Sequence, residues 1–70
     1  MSSRVHAITE LAGTSTESIE DAIRNAVETA GKSLRSLEWF EVISVRGSVK
    51  DNNVHEFQVI VKVGFKYEGK

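Results

Sequence analysis

Hydrophobic residues recur at two different periods along the chain. Between Ile19 and Leu37 they are spaced three and four apart, which predicts one amphipathic helix of about five turns. From Phe57 to Tyr67 every second residue is apolar, which predicts a strand with one buried face. Together the two patterns predict a helix that packs on a sheet.

The residues before the helix predict where it begins. Residues 4–13 alternate as in a first strand, which ends at Gly13. Thr14 or Ser15 is the expected N-cap, because Glu17 stands three residues after Thr14 as in a capping box.

Two further strands, Glu38–Lys50 and Val54–Tyr67, are predicted to form a hairpin. Asn52-Asn53 suits a two-residue type I′ loop, because asparagine tolerates positive φ. The element order is β-α-β-β, and all strand pairs are antiparallel if the third strand lies in the middle. The prediction is a single α+β domain over residues 1–70, with a three-stranded antiparallel sheet packed on one long helix.

The hairpin register decides which face of the sheet carries Trp39, the only tryptophan. With a two-residue loop, Trp39 shares with Gln58 the face that points away from the helix. A three-residue loop without a bulge would instead place Trp39 under the helix, beside Val63 and Phe65. The first register is preferred because it sets Phe40 opposite Phe65 in the core.

This register has consequences for the rest of the hairpin. It pairs Gly47 with Gln58 and Trp39 with Lys66. Three polar residues of the second strand then fall on the helix side, which requires a bulge or a position beyond the end of the helix: Ser44, Arg46 and Ser48.

The far face of the predicted sheet has no second layer within the chain. It still carries five apolar residues: Trp39, Ile43, Val45, Val54 and Ile60. A chain of 70 residues without cysteine is marginal alone and has no disulfides to stabilise it. Association with further copies is therefore expected to cover this face.

Composition excludes several classes of function. Nine basic and ten acidic residues give a net charge of −1 without a run of one sign, so neither nucleic acid nor a membrane surface is an expected partner. There is no apolar run long enough for a signal peptide or a membrane span, and a cytoplasmic location is expected. His6 and His55 lie on different predicted strands without a partner at ligand spacing, so no metal site is expected.

Trp39 and Gln58 on one uncovered face suggest a ligand. An indole offers a flat π surface on which an aromatic ring can stack. A glutamine amide offers a donor and an acceptor together, which matches the edge of a heterocycle such as a flavin or a base. A plain interface tryptophan beside an exposed strand glutamine is the alternative.

The sequence resembles the dodecins, small flavin-binding proteins of bacteria and archaea. The resemblance rests on AGTSTES before the helix, LEWFEV at the start of the second strand, VRG within it, and FQVIVKVGFKYE at the end. In this order and spacing, these short motifs cover nearly the whole chain. One departure is Thr16, where many relatives have proline, and it affects only the start of the helix.

The resemblance implies a hollow homododecamer of cubic symmetry that binds flavins in pairs at two-fold interfaces. Trp39 corresponds to the stacking indole, and Gln58 to the glutamine that bonds the isoalloxazine edge. Arg46 corresponds to a basic residue near the ligand's phosphate. The hairpin parity places it on the other face, so it would have to serve a neighbour's site or follow a bulge. FMN is therefore the expected ligand, with riboflavin and FAD as alternatives. Lys62 and Lys66 are weaker candidates for the same charge.

The implied role is storage and buffering of flavin, with quenching of its photochemistry by the indoles. No residue near the expected site is an obvious base or nucleophile, so an enzyme is not expected. Two alternatives stay open: a redox enzyme that uses the flavin as cofactor, and a ligand-free assembly module in which Trp39 only packs an interface.

Overall fold

The computed structural model describes residues 5–67 and contains one helix and one sheet in this range. The elements are β1 (His6–Ser15), α1 (Ile19–Ser33), β2 (Leu37–Lys50) and β3 (Asn53–Lys66). The strand order is β1-β3-β2 and both pairs are antiparallel, which confirms the predicted fold class. Arg4, where the first strand was expected to begin, and the two ends of the predicted domain 1–70 lie outside the described residues.

The helix begins later than predicted. Ser18 is the N-cap, and its hydroxyl accepts a 2.9 Å hydrogen bond from the backbone N–H of Asp21. Ser15, an expected cap, instead closes the preceding turn: its hydroxyl accepts from the N–H of Glu17 and donates to the Asp21 carboxylate. Thr14 and Ser15 are both still part of β1, because pairing with β3 extends that strand beyond Gly13.

The helix also ends earlier than the apolar stripe suggested. It spans 15 residues, which is about four turns. The N–H of Leu34 donates to the carbonyl of Ala30 at 2.9 Å as the C-cap, and Ser36 has φ of 60°, which no helix continues. Leu34 and Leu37 nevertheless pack against the core, so the stripe predicted their burial correctly and their secondary structure wrongly.

The core consists of small and β-branched side chains. Its buried members come from α1 and β3: Ala22, Ala26, Ala30, Val59, Val61 and Val63. Alanine on the inner helix face lets the helix lie close to the sheet. Gly13 has the same function on β1, because a Cβ there would overlap the carbonyl oxygen of Ala22.

The β2-β3 hairpin turns one residue earlier than predicted. Asp51 and Asn52 have φ of 53° and 66° and form the loop, while Lys50 pairs with Asn53. Both central residues of a type I′ turn need positive φ, and the predicted Asn52-Asn53 loop is therefore wrong by one position.

The helix covers only part of the sheet. It packs on β1 and β3 and hardly touches β2. Phe40, an expected core residue, is therefore 50% exposed although it faces the helix side opposite buried Val63. Val45, expected on the far face, also points to the helix side, because it pairs with buried Val59.

Candidate functional site

Trp39 lies on the sheet face that points away from the helix. It pairs with Gly64 of β3, and directly opposite residues of an antiparallel pair share a face. The neighbouring Val63 points the other way, into the core under the helix. Trp39 is 42% exposed, so within one chain this indole is a surface group.

The indole lies directly on the backbone of Gly64. A Cβ at this position would overlap the Cε2 and Cζ2 atoms of Trp39, and Gly64 itself is buried. A glycine inside a strand often marks a close approach by another group. The glycine therefore provides a flat floor for one ring face, and the exposed fraction of Trp39 leaves the outer face for a ligand or a second copy.

Gln58 and Arg46 form a second row on the same face. They pair directly across β3 and β2, which places their Cα atoms about 4.5–5.5 Å apart. Trp39 and Gln58 therefore share the far face, as the two-residue loop predicted. The predicted pairings of Gly47 with Gln58 and of Trp39 with Lys66 are wrong.

The face that hairpin parity alone gave Arg46 is also wrong, and the alternative of a bulge is confirmed. The register shifts once between Ser48 and Val49 and again between Val42 and Ser44, and each bulge exchanges the faces. Arg46 lies between the two shifts and is therefore turned onto the Gln58 face. Trp39 lies beyond both, where the second shift restores the original alternation.

The two rows are far apart along the sheet. Gly64 under Trp39 and Gln58 are six positions apart on β3, which corresponds to about 20 Å at the rise of a strand. This separation exceeds the length of a three-ring heterocycle. A ligand that stacks on Trp39 of one chain can therefore meet Gln58 only from another copy.

Two residues near Trp39 were not assigned to this site from the sequence. They are His6, whose ring contacts the indole, and Glu38, which precedes Trp39 in the chain. The ring of His6 on β1 lies 5.0 Å from the indole, centroid to centroid, at 59°. The Nε2–H of His6 donates a 2.7 Å hydrogen bond to the carboxylate of Glu38. Gly64 within an apolar strand was a usable sequence signal for a close approach, whereas the meeting of β1 with the start of β2 was not visible in the sequence.

A second uncovered surface lies on the opposite side of the sheet. Where α1 fails to cover β2, a groove of about 710 Å³ runs between them. Its apolar lining comes from four residues: Ile19, Ile23, Val27 and Phe40. Val42 and Val45 continue this exposed apolar surface along β2. The groove does not contain Trp39 or Gln58 and is separate from the candidate ligand site.

Other kinds of site find no support among residues 5–67. No group of three or more potential metal ligands lies together in this range. No helix in the same range is long and apolar enough to cross a membrane.

The protein is thus a small α+β subunit with two uncovered apolar surfaces, one of which carries a tryptophan supported by the sheet backbone. The Dodecin family model matches residues 5–68. The dodecin of Thermus thermophilus is 46% identical over 65 residues, which cover 93% of this chain and 94% of that protein.

Solved structures agree with this match. The dodecin of Streptomyces coelicolor superimposes with a TM-score of 0.94 at 44% identity, over all of both chains. The dodecin of Streptomyces davaonensis gives 0.92 at 40% identity, over 97% of this chain and all of that one. The chain belongs to the dodecin family, a family of small, self-associating flavin-binding proteins.

Proposed function

We propose that this protein stores and buffers flavin, with FMN as its preferred ligand, and suppresses the photochemistry of the flavin that it holds. The observation that carries the proposal is the placement of Trp39. Its indole rests on Gly64 and is 42% exposed, so it forms a ready stacking surface outside the subunit's core. Electron donation from an indole in contact with an excited flavin would quench the flavin's fluorescence.

Two copies related by a two-fold axis would complete the site. A two-fold axis presents each surface twice, so it would set the Trp39 of one copy across from that of the other, with two flavin rings between them. The distance of about 20 Å between the rows of Trp39 and Gln58 means that each ring would meet the tryptophan of one copy and the glutamine of the other. A homododecamer of cubic symmetry contains such axes.

The preference for FMN rests on Arg46. It lies directly opposite Gln58 on the sheet face that points away from the helix, so one copy would offer the amide to the ring edge and the guanidinium to a terminal phosphate. Lys62 is less suited to this role, because it stands between Glu10 and Glu41 on the neighbouring strands.

Titration with riboflavin, FMN and FAD, followed by flavin fluorescence, tests ligand and selectivity together. We expect strong quenching with all three, the tightest binding for FMN, and an FMN affinity that falls with salt. Arg46→Ala should weaken FMN binding about 10- to 100-fold, the range of a charge-assisted hydrogen bond, and leave riboflavin binding unchanged. Lys50→Ala, which removes a cation from the same hairpin, is the matched control. Equal affinity of the wild type for riboflavin and FMN would contradict the assignment of Arg46.

The role of a redox enzyme is the rival proposal. A ring enclosed between an indole and a second flavin has no free face for a second substrate. NADH added to the flavin-loaded protein without oxygen should therefore bleach it no faster than free flavin. Faster bleaching would favour the enzyme. Colourless purified protein that does not take up flavin would favour a ligand-free assembly module.

A further inference from the structure

Three side chains from two strands, β1 and β2, meet across the central strand β3. His6 on β1 reaches toward the indole of Trp39 and makes a tilted ring contact at 5.0 Å and 59°. From β2, the carboxylate of Glu38 accepts the hydrogen bond from His6 Nε2 at 2.7 Å. Since β3 lies between β1 and β2, these contacts cross the central strand.

The indole of Trp39 is contacted on two sides, by the sheet backbone beneath it and by an imidazole beside it. Gly64 limits movement of the indole toward the sheet. The imidazole lies beside the indole, and the ring separation and tilt fall within the range of favourable aromatic pairs. The side chain of His6 is only 24% exposed, whereas that of Glu38 is 41% exposed. Glu38 therefore anchors an imidazole that is already packed against the ring.

An indole on an exposed strand would otherwise have rotational freedom about its side-chain bonds. Ordering a mobile side chain upon binding costs conformational entropy, so an indole that is already fixed binds a planar ligand better. A register shift occurs between Leu37 and Trp39. Glu38 lies at this irregularity, next to the indole in the chain.

We propose that His6, anchored by Glu38, is a positioning residue that fixes the ring plane of Trp39 for flavin stacking. The role deepens the proposed flavin site, on which its effect on affinity rests. His6 acts through Trp39, and its removal should loosen the indole before any ligand is present.

The single tryptophan makes this directly measurable. The tryptophan signals in near-ultraviolet circular dichroism and fluorescence anisotropy of the flavin-free protein come from Trp39 alone. Both signals report on the rigidity of its indole. The variants are His6→Ala, His6→Phe, Glu38→Ala and Glu38→Gln. His55→Ala removes the other histidine of the described chain, which is exposed near the hairpin loop, and serves as the control. Light scattering checks that every variant retains the wild-type mass.

The expected pattern is specific to positioning. His6→Ala and Glu38→Ala should reduce the tryptophan dichroism and anisotropy and weaken FMN about 2- to 10-fold, the range that corresponds to one aromatic contact. Glu38→Gln, whose amide oxygen still accepts from Nε2, should retain wild-type values. His6→Phe, which keeps a ring but loses the bond, should be intermediate. His55→Ala should change nothing.

Two results would overturn the proposal. Unchanged dichroism and anisotropy in both alanine variants would show that His6 does not fix the indole, even if FMN affinity fell. If His55→Ala reduced the dichroism and anisotropy as much as His6→Ala, the loss would reflect a general change in the protein and not the contact between His6 and Trp39. If the wild type bound no flavin, the proposed function would fail, while the spectra of the flavin-free protein would still decide the positioning role. Glu38→Ala changes an exposed side chain and keeps the test open if His6→Ala does not fold.

Discussion

A single glycine determines what Trp39 can do. On most strand positions a side chain would lift a neighbouring indole from the sheet, but Gly64 lets the ring lie on the backbone while its outer face stays open. The tryptophan is thereby a supported surface group that adds no volume to the core of alanine and valine side chains.

Trp39→Ala should separate ligand binding from stability. Truncation of a buried tryptophan costs about 3–5 kcal/mol, but this indole contributes no volume to the subunit core. We expect the flavin-free variant to melt within a few degrees of the wild type, to bind flavin far more weakly, and to leave bound flavin fluorescent. Thermal unfolding without flavin and a fluorescence titration measure the two effects. An aggregated or strongly destabilised variant would show that the indole is needed for the fold.

Gly64→Ala should displace the indole without removing it. The added Cβ overlaps Cε2 and Cζ2 of Trp39, and the ring is the mobile end of a side chain, so the ring should move rather than the strand. We expect weaker FMN binding and altered tryptophan dichroism at nearly unchanged stability. Gly31→Ala is the matched control. Its Cβ would meet Leu37 at an ordinary 3.6 Å, and alanine in a helix gains up to about 1 kcal/mol.

At the scale of elements, the hairpin places the site residues. Its two-residue loop sets the alternation of faces, and the two register shifts that enclose Arg46 then move the residues between them to the opposite face. The loop holds Asp51 and Asn52 at positive φ, a conformation that costs most residues about 1–2 kcal/mol and asparagine less.

Asn52→Gly should therefore stabilise the protein. Glycine adopts φ near 66°, the value at Asn52, without steric cost, and we expect a gain of up to about 1 kcal/mol. Asn53→Gly is the comparison, because Asn53 pairs with Lys50 as the first residue of β3, where glycine weakens a strand. Denaturant unfolding of both variants measures the difference. Greater stabilisation by Asn53→Gly would instead support the loop predicted from the sequence.

At the scale of the whole molecule, two apolar surfaces on opposite sides of one sheet explain why a single chain is incomplete. One surrounds Trp39, and the other is the groove lined by Phe40 and the helix. A subunit with two separate interfaces can bind more than one other copy, so the assembly can be larger than a dimer. Each assembled copy then gains the buried area that a chain of 70 residues lacks alone.

We expect light scattering to give about twelve times the 7.8 kDa of one chain at micromolar concentration. Phe40→Glu should reduce this mass, because an unpaired buried charge is costly. Thr29→Glu adds the same charge at an exposed helix position and should leave the mass unchanged. A wild-type monomer would contradict the assembly, and an intact Phe40→Glu oligomer would show that the groove is not an interface.

The element order, the strand face that enters the core and the shared face of Trp39 and Gln58 could all be predicted from the amino-acid sequence. Periods of two and 3.6 residues are local properties of a chain, so Val59 and Val61 could be assigned to the core without a structure. The face of Trp39 was predicted correctly although the loop was not. Moving a two-residue loop by one position changes the pairing by two, which preserves the alternation.

Three features of the site became visible only in the folded chain: the face of Arg46, the support of the Trp39 ring by Gly64 and the contact of Trp39 with His6. Bulges arise where two long strands adjust to each other, and no local pattern marked the two shifts that enclose Arg46. His6 and Glu38 are separated by 32 positions, and their side chains meet across β3, which lies between β1 and β2. Contacts of this kind depend on how distant segments fit together in space, and the periodicity of a single segment does not contain that information.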